Sequence, residues 1–134
     1  MSTDVSVRWG WLKAMYIYNI VGAGGFGLAL LFFPGTIQSI LRFPPQDPVT
    51  LGLYGSVLLA VGLISIAALR FPLKFVSILF IQLVYKPIWL AVVAIPLFIK
   101  GQFPLYVVFI SAVFFTYIIG NLIAIPFSYL LSKK

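Results

Sequence analysis

Apolar residues along this chain fall into four long runs separated by short polar breaks, at about 14–33, 49–69, 75–99 and 105–131. A helix rises 1.5 Å per residue, so about 20 residues cross a hydrocarbon core of about 30 Å. Each run meets that length. Three runs hold no charged residue, and the third holds only Lys86. Lipid offers a backbone no hydrogen-bond partners, so such runs must form helices. The pattern predicts an all-α fold, a single transmembrane bundle of four spans that occupies residues 1–134.

The breaks carry matching punctuation. Asp47 is placed to cap the second helix and Pro48 to occupy its first turn. Gly101 is placed to end the third helix and Pro104 to start the fourth. In the longest break, Thr36 to Phe43, Ile37, Ile40 and Leu41 share one side while Gln38, Ser39 and Arg42 lie elsewhere. That spacing predicts a short helix lying in the membrane interface. The first run is too long for the apolar part of a signal peptide. It follows Asp4 and lacks a small-x-small cleavage site before Pro34, so it is expected as a retained span.

Composition confirms the class on independent grounds. The chain has 134 residues, 63% hydrophobic and 8% charged, with a mean hydropathy of +1.16. Ordinary soluble proteins carry about 25% charged residues. A chain this short cannot bury so much apolar surface within itself, so that surface must face lipid. The net charge of +7 does not point to nucleic acid, because the cations sit mainly at the ends of the apolar runs. Arg8, Lys13, Arg70, Lys74, Lys133 and Lys134 lie on one side of the expected bundle, against Arg42 and Lys100 on the other. Positive charge favours the cytoplasm, so both termini are expected there. Trp9, Trp11, Tyr16 and Tyr129 suit an aromatic belt on the same face.

Lys86 is the residue that asks for an explanation. It lies about 16 Å along the third helix from Phe75, and a lysine at the bilayer centre costs about 2.5–3.5 kcal/mol to insert. Gln82, Tyr85 and Trp89 can share its broad face. On the antiparallel fourth helix Asn121 falls at nearly the same depth, and Tyr117 continues that face. Pro87, Pro96 and Pro126 are expected to free the carbonyls of Leu83, Val92 and Leu122. The chain's two side-chain carboxylates, Asp4 and Asp47, lie outside the spans. The amine is therefore either held neutral by Asn121, Tyr85 or Tyr117, or engaged by an anionic or carbonyl-bearing ligand, or paired with another subunit.

Small residues suggest how the helices meet. Gly52, Ser56 and Ala60 recur every four positions in the second helix. The pattern is expected to mark close packing within the bundle, or else a dimer face or ligand gap.

Many chemistries are excluded. With no cysteine and no histidine, the chain offers no disulfide, thiol nucleophile, haem ligand or usual zinc site. Hydrolytic triads lack their histidine and acid. Proton-coupled transport normally uses a carboxylate or histidine inside the membrane. The run from Gly22 to Gly27 reads G-x-G-G-x-G, but with no preceding strand it is not a dinucleotide fingerprint. No catalytic residue, metal or cofactor is expected.

Several local features resemble the small bacterial four-helix membrane proteins grouped as DoxX-like. They are the Phe33-Pro34-Gly35 break, Leu51-Gly52-Leu53-Tyr54-Gly55 with Gly62 beyond it, Arg70-Phe71-Pro72, and Lys86 in the third helix. Such proteins often carry an acid in the fourth helix, where this chain has Asn121. The resemblance implies a bacterial inner-membrane protein, sometimes accessory to a quinone-oxidising complex.

The expected function is non-catalytic. A lipid-like or carbonyl-bearing molecule, such as one with a quinone-like head, or a partner subunit would bind around Lys86, Gln82, Tyr85, Trp89, Tyr117 and Asn121. The alternative is a homo-oligomeric transporter or channel subunit.

Overall fold

A computed structural model describes residues 7–132. Asp4, Lys133 and Lys134, which enter the charge reading, lie outside the described residues. All regular structure among the described residues is helical. Four helices are long and apolar enough to cross a membrane: α1 (Trp9–Phe32), α3 (Pro48–Arg70), α4 (Ser77–Ile99) and α5 (Leu105–Ala124). Between the first two lies the short helix α2 (Pro34–Leu41), and after the last comes α6 (Phe127–Leu130).

Helix ends follow the sequence signals where a side chain or a proline enforces them. The Asp47 carboxylate accepts the Thr50 N–H at 3.1 Å and the Thr50 hydroxyl at 2.9 Å, with Pro48 opening α3. These donors hold the Asp47 carboxyl below its ordinary range, the Thr50 hydroxyl contributing most. Gly101 closes α4 with φ of 73°, a conformation that penalises a Cβ.

Two boundaries differ from expectation. α1 begins earlier, at Trp9, and α5 stops at Ala124 and not at 131. The reason for the second is Pro126. A proline pushes the residue before it out of the helical region, and Ile125 is extended at φ −70°, ψ 123°. Pro126 thus ends the helix instead of kinking it.

Two spans contain a π-helical turn, Asn19–Gly24 in α1 and Leu90–Ala94 in α4. The second is flanked by Pro87 and Pro96. Each proline removes a donor, and a local widening of the helix lets the remaining groups find partners.

The close contact between α1 and α3 is made by glycines, but not by the expected stripe. Gly24 and Gly27 face Gly62 and Gly55. A Cβ on Gly62 would lie 2.6 Å from the Gly24 Cα, and a Cβ on Gly27 would lie 2.7 Å from the Gly55 carbonyl oxygen. Gly52, Ser56 and Ala60 do not pack inside the bundle. Ser56 and Ala60 are exposed, and nothing approaches Gly52 within 4 Å of a Cβ. Steps of four overshoot a 3.6-residue turn, so that stripe drifts around the helix, whereas a step of seven returns nearly to the same face. Gly55, Leu58, Gly62, Ser65 and Ala68 follow the second rule and are buried.

Tyr16 also departs from expectation. Trp9, Trp11 and Tyr129 are exposed, as a belt requires, but Tyr16 is fully buried and donates to the Pro72 carbonyl at 2.6 Å. It ties α1 to the turn after α3.

Candidate functional site

Lys86 lies inside the bundle with 2% of its surface exposed. It occupies the α4 face that also presents Leu79 and Gln82 inward. Its Nζ donates to the Tyr85 hydroxyl at 2.8 Å. Three ring faces surround the amine, those of Phe114 at 4.4 Å and of Tyr85 and Tyr117 at 4.5 Å. Such faces attract a cation by about 0.5–2 kcal/mol each, more as water is excluded. They accept no conventional hydrogen bond, however, and an ammonium carries three donors. One is used by Tyr85. No side-chain carboxylate lies within the described spans to take the others.

The amine borders a cavity of ≈ 260 Å³ whose walls are otherwise almost wholly apolar, among them Ala23, Phe26, Leu58, Phe109 and Val113. Gly22 lines it too, and a Cβ there would come 2.8 Å from the Tyr117 hydroxyl. Tyr18 and Tyr117 stack at 4.0 Å with a 4° interplanar angle, and Tyr117 donates to the Tyr18 carbonyl at 3.1 Å. The Tyr18 hydroxyl pairs with Thr116 at 2.6 Å. The wall is thus fixed by hydrogen bonds at both tyrosines.

A second cavity of ≈ 370 Å³ adjoins the first through shared walls of Tyr54, Ile110 and Phe114, and is lined also by Tyr85 and Trp89. Trp89 meets Phe114 edge-on at 5.2 Å.

The six residues expected to form one cluster therefore divide. Lys86 and Tyr117 line the first cavity, and Tyr85 and Trp89 the second. Gln82 and Asn121 line neither. Asn121 is fully buried with no hydrogen-bond partner on either side-chain atom, so it does not hold the Lys86 amine. They belong instead to a polar layer with one member from each span: Asn19, Ser65, Gln82 and Asn121, all buried. Each stands one turn from a member of a single apolar cluster, respectively Met15, Ala68, Leu79 and Ala124. Because neighbouring spans run antiparallel, all four offsets point the same way. Asn19 donates to the Ser65 hydroxyl at 3.1 Å, which donates in turn to the Val61 carbonyl at 2.8 Å. Lys86 and Tyr117 lie one turn further on.

Sequence reasoning missed Tyr54 and Phe114, which wall both cavities, and Ser65. An apolar helix hides which aromatic faces inward. The i, i+3, i+7 spacing of Gly55, Leu58, Gly62 and Ser65 could have found the last.

Among the described residues no group of metal-ligating side chains occurs. No family model, curated protein or solved structure matches the chain. Its architecture is that of a multi-pass membrane protein.

Proposed function

We propose that this protein is a non-catalytic membrane protein that binds a lipid-like molecule through a carboxylate or carbonyl oxygen placed against Lys86. The observation that carries the reading is a buried amine on the wall of an apolar cavity, with donors to spare and no side-chain carboxylate in the described spans. Leaving such a donor without an acceptor costs about 1–3 kcal/mol, more when charged. A ligand oxygen offsets that cost, while the apolar walls take the rest of the molecule. A quinone-like carbonyl would serve as well as a carboxylate.

The finer placement is part of the same proposal. The excess of cations near one end of the bundle supports cytoplasmic termini. The DoxX-like layout, with Lys86 where those proteins carry a lysine, supports a bacterial inner membrane and an accessory role. Asn121 in place of an acid leaves Lys86 free for a ligand.

Native mass spectrometry of gently extracted protein tests the reading. Wild type should carry a bound molecule that Lys86→Leu lacks. If the variant keeps every adduct of the wild type, the reading is wrong.

A second reading is favoured by one observation. Ser56 and Ala60 are exposed on α3, where small side chains suit a second copy of the chain. A homo-oligomeric transporter or channel subunit would then show Lys86-dependent flux in reconstituted vesicles.

A further inference from the structure

The second cavity extends the Lys86 site toward the loop that joins α1 and α3. Beyond the wall it shares with the first cavity, it is lined by Phe43, Gln46 and Thr50. Along α3 the linings step from Leu58 through Tyr54 to Thr50, about 12 Å of helical rise. A third cavity of ≈ 210 Å³ continues it, sharing Leu30, Gln46 and Leu51, and brings in Gln38 of α2. The second cavity stays largely apolar, walled by Leu30, Leu51, Tyr54, Trp89 and Phe114, and only the third, against the loop, is markedly polar.

One contact borders this path on its side. The Phe43 ring lies 4.6 Å from the ring of Tyr106, near the start of α5. Phe43 is held there by an unusual backbone. Arg42 has φ of 58°, the one positive φ at a residue other than glycine among the described residues. The turn it makes lets the Phe43 N–H reach the Gln38 carbonyl at 3.0 Å. A bulky residue in this conformation stores strain, and strained residues cluster at clamps and switches. Around it, the stretch from 43 to 47 holds no regular structure before Asp47 caps α3.

Resting on the reading of Lys86 given above, we propose that the second cavity is the subsite for the ligand's apolar body. The ligand is thus an elongated amphiphile, with its acceptor head at Lys86 and its chain running past Tyr54 and Trp89 toward the loop. Phe43 against Tyr106 is the gate through which it passes. A compact ligand would fill the first cavity alone and leave the second without a role.

The test uses oleate, with a carboxylate head, and decyl-benzoquinone, with carbonyl oxygens, alongside butyrate and unsubstituted benzoquinone as short counterparts. Each pair of buried methylenes is worth roughly tenfold in affinity, so the long probes should bind far more tightly. Equal affinity of long and short probes would overturn the subsite. The difference between the two heads tells which acceptor the amine prefers.

The gate is tested with Phe43→Cys/Tyr106→Cys, which carries the chain's only thiols because the sequence has no cysteine. Bridging the pair with a short, reducible bifunctional thiol reagent should slow uptake of the preferred long probe at least tenfold, and reduction should restore it. The reduced protein is its own folding control. Equal uptake by bridged and reduced protein would overturn the gate. If the wild type takes up neither long probe, the Lys86 reading itself fails, which is a different result.

Discussion

Replacing Gly27 with alanine probes the contact that positions α1 against α3, and its effect can be worked out from distances. The new Cβ would lie 2.6 Å from the Leu59 nitrogen and 2.7 Å from the Gly55 carbonyl oxygen. Ordinary contact begins at 3.4 Å, so about 0.8 Å must be found. Both neighbours are backbone atoms, which no side-chain rotation can move aside. The helices must separate, and a gap of 0.5–1 Å forfeits a quarter to a half of each dispersion contact along the seam. Overpacking of this kind costs about 1–3 kcal/mol. Alanine's better helix propensity returns at most about 1 kcal/mol. With the full propensity gain subtracted, the net loss is about 1 kcal/mol at mid-range and about 2 kcal/mol at the upper end. Gly52→Ala is the matched control, because it gains the propensity and meets nothing within 4 Å. Reversible unfolding in mixed micelles, followed by circular dichroism, measures both. Gly27→Ala should unfold at clearly lower denaturant, while Gly52→Ala should match or exceed the wild type. Equal stability of the two variants would refute the assigned seam.

Other outcomes follow from single contacts. Lys86→Leu should insert at least as well as wild type in a glycosylation-mapping assay, since it removes a mid-span charge worth about 2.5–3.5 kcal/mol; poorer insertion would contradict its burial. Tyr117→Phe loses the bond to the Tyr18 carbonyl and should cost about 0.5–1.5 kcal/mol in the same unfolding assay; no cost would mean that the bond does not form. Asp47 is held below its ordinary value of 3.8 by Thr50, so it stabilises α3 above that value and ceases to as pH falls through the lower folded value. NMR shifts at the start of α3 should therefore stay constant down to about pH 4 and change only below it. In Asp47→Asn, which keeps the capping oxygen, the acid-side change should vanish.

Much of the fold was legible because bilayer physics leaves so few solutions. Length and apolarity identified the four spans, and the Asp47-Pro48 cap and the Gly101 turn fell where local chemistry put them. What escaped was rotation about each helix axis. In a span apolar on every side, hydrophobicity does not distinguish the face toward lipid from the face toward protein. That is why Gly52, Ser56 and Ala60 read as the seam when Gly55 and Gly62 form it, and why Tyr16 read as a belt residue. The candidate site shows the same division. Lys86 stood out because its charge is costly anywhere in the bilayer. Assigning Asn121 to it failed because depth alone does not bring two side chains together. Asn121 sits one turn away from Lys86's level, in a layer with Asn19, Ser65 and Gln82. Of the two π-helical turns, only Leu90–Ala94 carries a mark in the sequence, its flanking Pro87 and Pro96; Asn19–Gly24 has none.

The central claim is that the Lys86 amine meets the oxygen of a bound amphiphile inside the bundle. An experimental structure of the protein in lipid nanodiscs, purified with whatever it carries, tests this most directly. The account predicts elongated density reaching from Phe43 past Tyr54 to Lys86, ending within hydrogen-bond distance of Nζ. A Lys86 side chain turned out to headgroups or bulk water, with protein side chains filling both cavities, would contradict it.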